Sequence, residues 1–442
     1  MRLPRRLRNL ELLLLVGVWM INLTAIALVG LGRTGETDPT MLGLTVFLCG
    51  LTLVMHIELR FIGREADPFI LPIATLLNGV GIAGIYRVDI AYGDSGWEAA
   101  AVRQVVWTAI AIIIAISGLM VVRNHRVLQR YTYLAMLVGV VLLLLPMLPG
   151  IGLTINGARV WIGVGPFTFQ PGEIAKIALA VFFAGYLVTR RDSLSMVGRK
   201  FLGLKLPRVR DLGPILVIWA LAMSVIVFQR DLGTALLYFG LFLVMLYVAT
   251  GRISWVLIGM LMFGGGAFVA GNTLDYVGGR LNNWLDAFSQ ANYDADGGSY
   301  QLVNGLFGLA HGGLTGTGLG QGMPEQTPVA QSDYIIATLG EELGLTGVFA
   351  ILALYLLFVS RGFRIGFAGQ DDFGKLLAVG LSFVVALQCF VVIGGVTRII
   401  PLTGLTTPFL AAGGSSLVAN WIIAALLLRI SDSVRSQPRL IV

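Results

Sequence analysis

The stretch "SDYIIATLGEELGLTGVFAILALYLLFV", residues 332–359, decides the class of fold. Its second half is an apolar run of the kind that crosses lipid, yet Asp333, Glu341 and Glu342 stand within or just before it. A carboxylate at membrane depth is costly and marks a functional or paired position by default.

Apolar runs of about 20 residues, enough to cross a hydrocarbon core, recur along the whole chain. Of the 442 residues 56% are hydrophobic and 12% charged, with a mean hydropathy of +0.84. A soluble domain would carry roughly twice that charged fraction. The chain therefore reads as an all-α polytopic membrane protein of about twelve transmembrane helices. Their expected spans are 10–31, 41–56, 68–86, 104–122, 131–148, 174–189, 212–228, 232–250, 254–270, 335–359, 376–394 and 408–428. The first run is long and lacks a small-residue cleavage site, so it reads as a retained helix. Cys49 and Cys389 both lie in apolar runs, which argues against a disulfide framework or a cysteine metal site. His56, His125 and His311 are scattered, without H-E-x-x-H spacing.

Charge orients the spans. With "MRLPRRLR" in the cytoplasm, the loops expected inside hold 23 of the 31 Lys and Arg residues, the positive-inside pattern. An even span number then puts both termini in the cytoplasm. The formal net charge of +7 is mostly inner-leaflet anchoring and requires no nucleic-acid partner. The eight exceptions are Arg33, Arg87, Arg103, Arg159, Lys176, Arg230, Arg280 and Arg398. Most fall in outer segments rich in acids, glycines and prolines, at 149–176, 229–233, 271–344 and 395–416. Irregular backbone at membrane depth is tolerated only where it is buried in protein or lines a wet cavity, so these four segments are expected to build one outward-facing cavity.

Five constellations carry chemistry. In "FQPGEIAK" Pro171 opens a helix, Glu173 suits its positive end, and Lys176 shares a face with Glu173. Two readings stand: a structural ion pair, or Lys176 with Arg159 of "NGARVWI" offering positive charge to an anionic substrate. In "FQRDLGTALL" Arg230 and Asp231 sit at a helix junction, with Asp231 placed to cap, to line the cavity, or both. "SYQLVNGLFGLAHGGLTGTGLGQG" (299–322) lacks both the P-loop and the dinucleotide-binding pattern; its glycines suit close packing or a mobile loop over the cavity. In the opening stretch Asp333 sits at the cavity mouth as a helix cap or a catalytic base. Glu341 and Glu342 lie more than two turns deeper and are expected to pair with cations of other helices. In "PLTGLTTPFLAAGGSSL" Gly413, Gly414, Ser415 and Ser416 allow close helix approach, with Arg398 the nearby outer cation.

These motifs, in this order over about residues 70–430, resemble the SEDS family (shape, elongation, division and sporulation), which includes RodA and FtsW. The resemblance implies a ten-helix core at 67–430 with a large extracellular loop at 271–334. It also implies two additional N-terminal helices within 1–66 and a short cytoplasmic tail at 431–442; the short tail is the more RodA-like feature. It further implies a peptidoglycan glycosyltransferase that polymerises lipid II on the outer face of the cytoplasmic membrane, partnered by a class B penicillin-binding protein. The family's catalytic aspartate falls on Asp333, its P-S-E-x-x-K pair on Glu173 and Lys176, its Arg site on Arg159 and its D-L-G-T aspartate on Asp231. Three motifs depart from the usual pattern: P-G-E with Gly172, S-D-Y around Asp333, and A-A-G-G-S-S with Ala411 and Ala412. None of these removes a charged group.

The chemistry suits the residues. A sugar 4-hydroxyl attacks the anomeric carbon of a second lipid-linked disaccharide and undecaprenyl pyrophosphate leaves. Asp333 is expected to serve as the general base, or as a ligand for Mg²⁺ or Mn²⁺. Arg159, Lys176, Arg230 and Arg398 are expected to meet the pyrophosphate charge, with Glu173, Asp231, Glu341, Glu342 and Ser415 in support. The rival readings are a lipid-precursor flippase or transporter and a non-catalytic scaffold for a transpeptidase.

Overall fold

The computed structural model describes residues 3–155, 157–164, 167–195, 200–201, 204–205 and 212–436. The part of the tail expected from 431 that lies beyond residue 436 falls outside the described residues. The helices are α1 (Leu3–Thr34), α2 (Pro39–Ile62), α3 (Ile70–Tyr92), α4 (Ala100–Val121), the single turn α5 (Val127–Arg130), α6 (Thr132–Leu144) and α7 (Pro171–Ser195). They continue with α8 (Gly213–Ser224), α9 (Leu232–Thr250), α10 (Ile253–Thr273), α11 (Asp275–Leu285), α12 (Gln290–Tyr293), α13 (Tyr300–Gly312), α14 (Ile335–Ala368), α15 (Asp372–Val396) and α16 (Gly414–Arg435). Among the described residues ten helices are long and apolar enough to cross a membrane, and two shorter apolar helices, Thr132–Met147 and Gly213–Gln229, fall on the remaining expected spans.

Both short helices have local causes. Pro146 cannot donate a backbone hydrogen bond, and α6 tightens into a single narrow turn, Leu145–Met147, around it. α8 instead widens into a π turn, Val225–Gln229, and stops at Arg230, whose φ of 57° is left-handed. Asp231 then starts α9 by accepting the Thr234 amide at 2.9 Å, a side-chain N-cap.

Burial sorts the helices into two layers. α3, α7, α9, α15 and α16 bury most of their residues, whereas α1, α2, α10 and α14 bury a third or fewer of theirs. The exposed side chains include Leu13, Met20, Phe61, Leu261 and Phe268, as expected where the solvent is lipid. Close approach within the inner layer depends on small residues. A β-carbon on Gly414 would collide with the Trp107 ring, and one on Gly81 with the backbone of Leu410.

The structure departs from the sequence expectations in the outer segments. Three strands, β1 (Gly152–Ile155), β2 (Ala158–Val164) and β3 (Phe167–Phe169), form an antiparallel sheet, in which Gly152 pairs with Ile162 and Ile162 with Phe169. The 271–334 region, expected as a loop, carries α11, α12 and α13. The glycines of α13 lie three and four residues apart, hence on one face, and that face meets α14. A β-carbon on Gly305 would sit 2.6 Å from the Tyr334 ring, and one on Gly312 would strike the Gly340 carbonyl. The last span starts at Gly414, six residues later than expected, because 401–413 is not helical: it turns at 408–410, with left-handed Gly404 and Phe409. Finally, α14 is interrupted at Gly344, whose φ of 68° and ψ of −175° are not helical.

Candidate active site

Asp333 is set at the start of α14 by its neighbours. Val329 adopts a left-handed φ of 57°, and the fully buried Tyr334 anchors against α13, leaving Asp333 half-buried at the rim. Facing it is Arg280 of α11, which donates to the carbonyls of Thr403 (2.9 Å) and Leu402 (3.3 Å). Gly404 lies between them: a β-carbon there would sit 3.8 Å from Arg280 Nη2 and 3.9 Å from Asp333 Oδ2. Burial pushes the Asp333 carboxyl up to about 6, with Asp231 adding to the rise, while the Ser332 hydroxyl and Arg280 pull it down. A carboxylate near 6 is poised to accept a proton near neutral pH.

Residues 403–407 join this carboxylate to two other constellations. Leu405 fills the space where Gly233 lacks a side chain, next to Asp231. The Thr406 carbonyl accepts Gln388 Nε2 at 2.9 Å, and Gln388 Oε1 accepts Lys176 Nζ at 2.9 Å. Lys176 also pairs with Glu173 at 2.5 Å. Both members of that pair are buried, so neither could be removed without stranding a charge. The start of α7 is tied in from two sides: Ser415 Oγ accepts the Gln170 amide at 2.8 Å, and the Tyr238 hydroxyl donates to the Gly172 carbonyl at 2.9 Å. Buried Thr403, Thr406 and Thr407 hydroxyls and Gln331 Oε1 have no hydrogen-bond partner. Such groups are rare without a reason, and three of these four lie on the 403–407 segment, whose Gly404 is beside Asp333.

Glu341 and Glu342 lie deeper and bind the glycine-rich loop. Glu342 pairs with Arg87 of α3 at 2.8 Å, and its two oxygens accept the amides of Gly320 (3.1 Å) and Gly322 (3.3 Å). Arg87 also donates to the Gly322 carbonyl. Glu341 accepts the Met323 amide at 3.1 Å and lies 3.2 Å from His311 Nδ1. The N-terminal helix α1 reaches the same loop through Gln321, whose amide donates to the Gly32 carbonyl at 2.7 Å.

The other cations stand apart from this cluster. Arg398 donates to the carbonyls of Trp284 (2.7 Å) and Leu285 (2.8 Å) and lies over the Phe288 ring, so it latches the end of α11 to the 397–400 turn. Exposed Arg230 lies 5.9 Å from the centre of the Tyr276 ring. Arg159 on β2 donates to the Leu148 carbonyl at 3.3 Å, and its Nε is buried without a partner. Within the region expected to form the outward-facing cavity, the gap lined by Gly172, Asp231 and Thr234 has no room for water. The cation beside Asp333 is Arg280, which the sequence motifs did not single out; its only signal was its place among the outer exceptions to the charge asymmetry.

Among the described residues no three His, Cys, Asp or Glu side chains gather to hold a metal ion. Asp231, the carboxylate that acts on Asp333 electrostatically, is engaged as a cap by both the amide and the hydroxyl of Thr234. One carboxylate is nevertheless enough for a magnesium ion brought in on substrate phosphates, since Mg²⁺ is commonly held by one or two carboxylates plus phosphate oxygens.

Fold and site together define a multi-pass helical membrane protein with a carboxylate–arginine site at one end of its bundle. Residues 68–436 match the cell cycle protein family FtsW/RodA/SpoVE, and the chain belongs to that family. It is 43% identical over 436 residues to peptidoglycan glycosyltransferase RodA of Mycobacterium leprae, covering 98% of this chain and 92% of the relative. Against RodA of Mycobacterium tuberculosis strain H37Rv the identity is 44% over 439 residues, with the same coverage. Stage V sporulation protein E of Bacillus subtilis is 33% identical over 374 residues, 83% of this chain and 96% of that protein. Among solved structures, a chain of a peptidoglycan synthase complex superposes with a TM-score of 0.64 at 24% identity, covering 84% of this chain and 99% of that one. RodA of Thermus thermophilus gives 0.57 at 23% identity, covering 84% and 98%. At these identities the structural likeness carries the fold alone.

Proposed function

We propose that the chain is a peptidoglycan glycosyltransferase that polymerises lipid II at the outer face of the bacterial cytoplasmic membrane during cell-wall elongation. In this reading both termini are cytoplasmic and a class B penicillin-binding protein is the crosslinking partner. The RodA relatives, alike over nearly the whole chain, support the activity class. The observation that carries the chemistry is the half-buried Asp333 beside Arg280 across Gly404.

In the proposed reaction the acceptor sugar 4-hydroxyl approaches Asp333, which takes its proton as the oxygen bonds to the anomeric carbon of the donor. The bond from that carbon to pyrophosphate breaks, and its electron pair leaves on undecaprenyl pyrophosphate. Attack in one step inverts the anomeric centre and needs no second nucleophilic carboxylate. Arg280 stabilises charge as it develops, a role the sequence had assigned to Arg159, Lys176, Arg230 and Arg398. Of these, Lys176 lies within the same hydrogen-bonded network, through Gln388 and Thr406. A Mg²⁺ or Mn²⁺ ion would be held by Asp333 with substrate oxygens and would supply further charge neutralisation there.

The test is purified protein, with and without its partner, given labelled lipid II in detergent, where flipping has no meaning. Glycan polymer is expected from the wild-type chain. Its rate should fall by roughly 10²- to 10⁴-fold in Asp333→Ala, the usual contribution of a general base. Undiminished polymer in that variant would sink the assignment of Asp333. Absence of polymer under every condition would favour the flippase or scaffold readings.

A further inference from the structure

At the end of α14 opposite Asp333, three elements enclose a cavity of ≈ 190 Å³. Asp67 comes from the α2–α3 connection, Arg361 and Arg364 from α14, and Ser431 and Arg435 from α16. Asp67 is fully engaged: its Oδ2 accepts Arg361 Nε (2.9 Å), Arg361 Nη2 (2.5 Å) and Arg435 Nη2 (2.6 Å), and its Oδ1 accepts the Phe69 amide (3.0 Å). One carboxylate thus faces three guanidinium groups. The C-terminal ends of α14 and α16 contribute only about half a negative charge each, so the cavity keeps a net positive charge. Arg361 is held in place by the Phe69 ring, 4.6 Å from its guanidinium carbon.

Cations at helix C-termini are ordinary and would by themselves imply only capping. The Ser431 hydroxyl goes beyond capping. Ser431 is fully buried, yet its Oγ has no hydrogen-bond partner. Buried Ser382 and Thr108, by contrast, bond the carbonyl four residues earlier at 2.7 and 2.8 Å. A buried orphan hydroxyl beside three arginines calls for an acceptor-rich ligand, and the guanidinium fork matches phosphate oxygens in pairs.

We propose that this cavity binds a phosphate-bearing anion, supplied either by the headgroup of an anionic phospholipid or by a free phosphate ester. Basic pockets between transmembrane helices suit lipid headgroups. The bound phosphate joins α14 and α16 to the link that follows the N-terminal helix pair. This inference is independent of the reaction assigned to Asp333.

The full-length protein is placed in nanodiscs of phosphatidylcholine, of phosphatidylcholine with phosphatidylglycerol, and of phosphatidylcholine with inorganic phosphate in the buffer. Native mass spectrometry counts retained phosphatidylglycerol, and hydrogen exchange follows 361–368 and 431–436. Arg364→Gln alters an exposed side chain, so folding should be preserved, and Ser431→Ala removes the orphan hydroxyl. Affinity is expected to fall roughly tenfold in Arg364→Gln, the size of one charge-assisted hydrogen bond, and to fall in Ser431→Ala. Protection by phosphatidylglycerol alone identifies a lipid headgroup; equal protection by inorganic phosphate identifies a free phosphate ester. The proposal is overturned if both variants retain the anion like the wild type. It is overturned equally if the wild type shows neither a preference for phosphatidylglycerol nor a response to phosphate.

Discussion

Replacing Arg280 by Gln tests the electrostatics of the site without touching Asp333. Arg280 Nη2 and Asp333 Oδ2 lie 3.8 and 3.9 Å from the same point at Gly404, so they are at most about 7.7 Å apart. At that distance a unit charge pair is worth ~0.5 kcal/mol in a water-like medium and ~2 kcal/mol at an effective dielectric constant of 20, or about 0.4 to 1.6 pKa units. Arg280 favours the ionised form of Asp333, whose carboxyl lies at about 6; removing the cation therefore moves it upward. A base must be ionised to act, so the acid limb of polymerisation rate against pH should shift to higher pH by that amount. At pH 6 the rate should drop about two- to twenty-fold from this cause alone. The assay is the detergent reaction with labelled lipid II, followed from acid to neutral pH. The Arg280→Lys variant restores the charge and should return the limb toward its original position. A limb that stays put in Arg280→Gln, or moves to lower pH, refutes the coupling.

Three further outcomes are expected. If Asp333 ligates a divalent ion, raising Mg²⁺ should displace the acid limb to lower pH, because metal and proton compete for one carboxylate; a limb insensitive to Mg²⁺ leaves the base role. Arg87→Met or Glu342→Gln strands a buried charge and should lower unfolding stability by about 3–5 kcal/mol, whereas the double variant Arg87→Met/Glu342→Gln removes both charges and should recover part of it; denaturation in detergent of all three variants checks this, and a double variant worse than both singles contradicts it. Gly344→Ala places a β-carbon at a left-handed φ and against the backbone of Gly316, so a loss of at least about 1–2 kcal/mol is expected, visible as a lower unfolding temperature.

The twelve apolar helices were legible because each run carries its own signal, hydropathy over a membrane-sized length. Asp333 was legible for a similar local reason: an acid directly before such a run is conspicuous. Arg280 was not, since its meaning lies in meeting 402–404 and Asp333 across more than fifty residues, and nothing in "GGRLNNWL" announces that. The glycines of 299–322 admitted both packing and loop readings. Only the partner surface on α14 shows that Gly305 and Gly312 are contact positions of a helix. The outer sheet around Arg159 and the late start of α16 depend on turn geometry at Gly157 and Gly404, which composition does not rank above other glycines. Arg398 illustrates the converse: a lone outer cation looks available in a sequence, but its donors already hold two carbonyls.

The break at Gly344 has a mechanical consequence. On its near side the Glu341 and Glu342 carbonyls accept the amides of Thr317 and Gly318; on its far side the Leu345 and Thr346 amides donate to Gly313 and Leu314. The glycine-rich loop is thus threaded through the gap as a splice, replacing the hydrogen bonds a continuous helix would have made. The short rod that carries Asp333 is bolted to the loop, and the long rod in the lipid is a separate beam. Residues 313–323 are thus tied at once to both rods of α14 and, through Gln321, to α1 at Gly32.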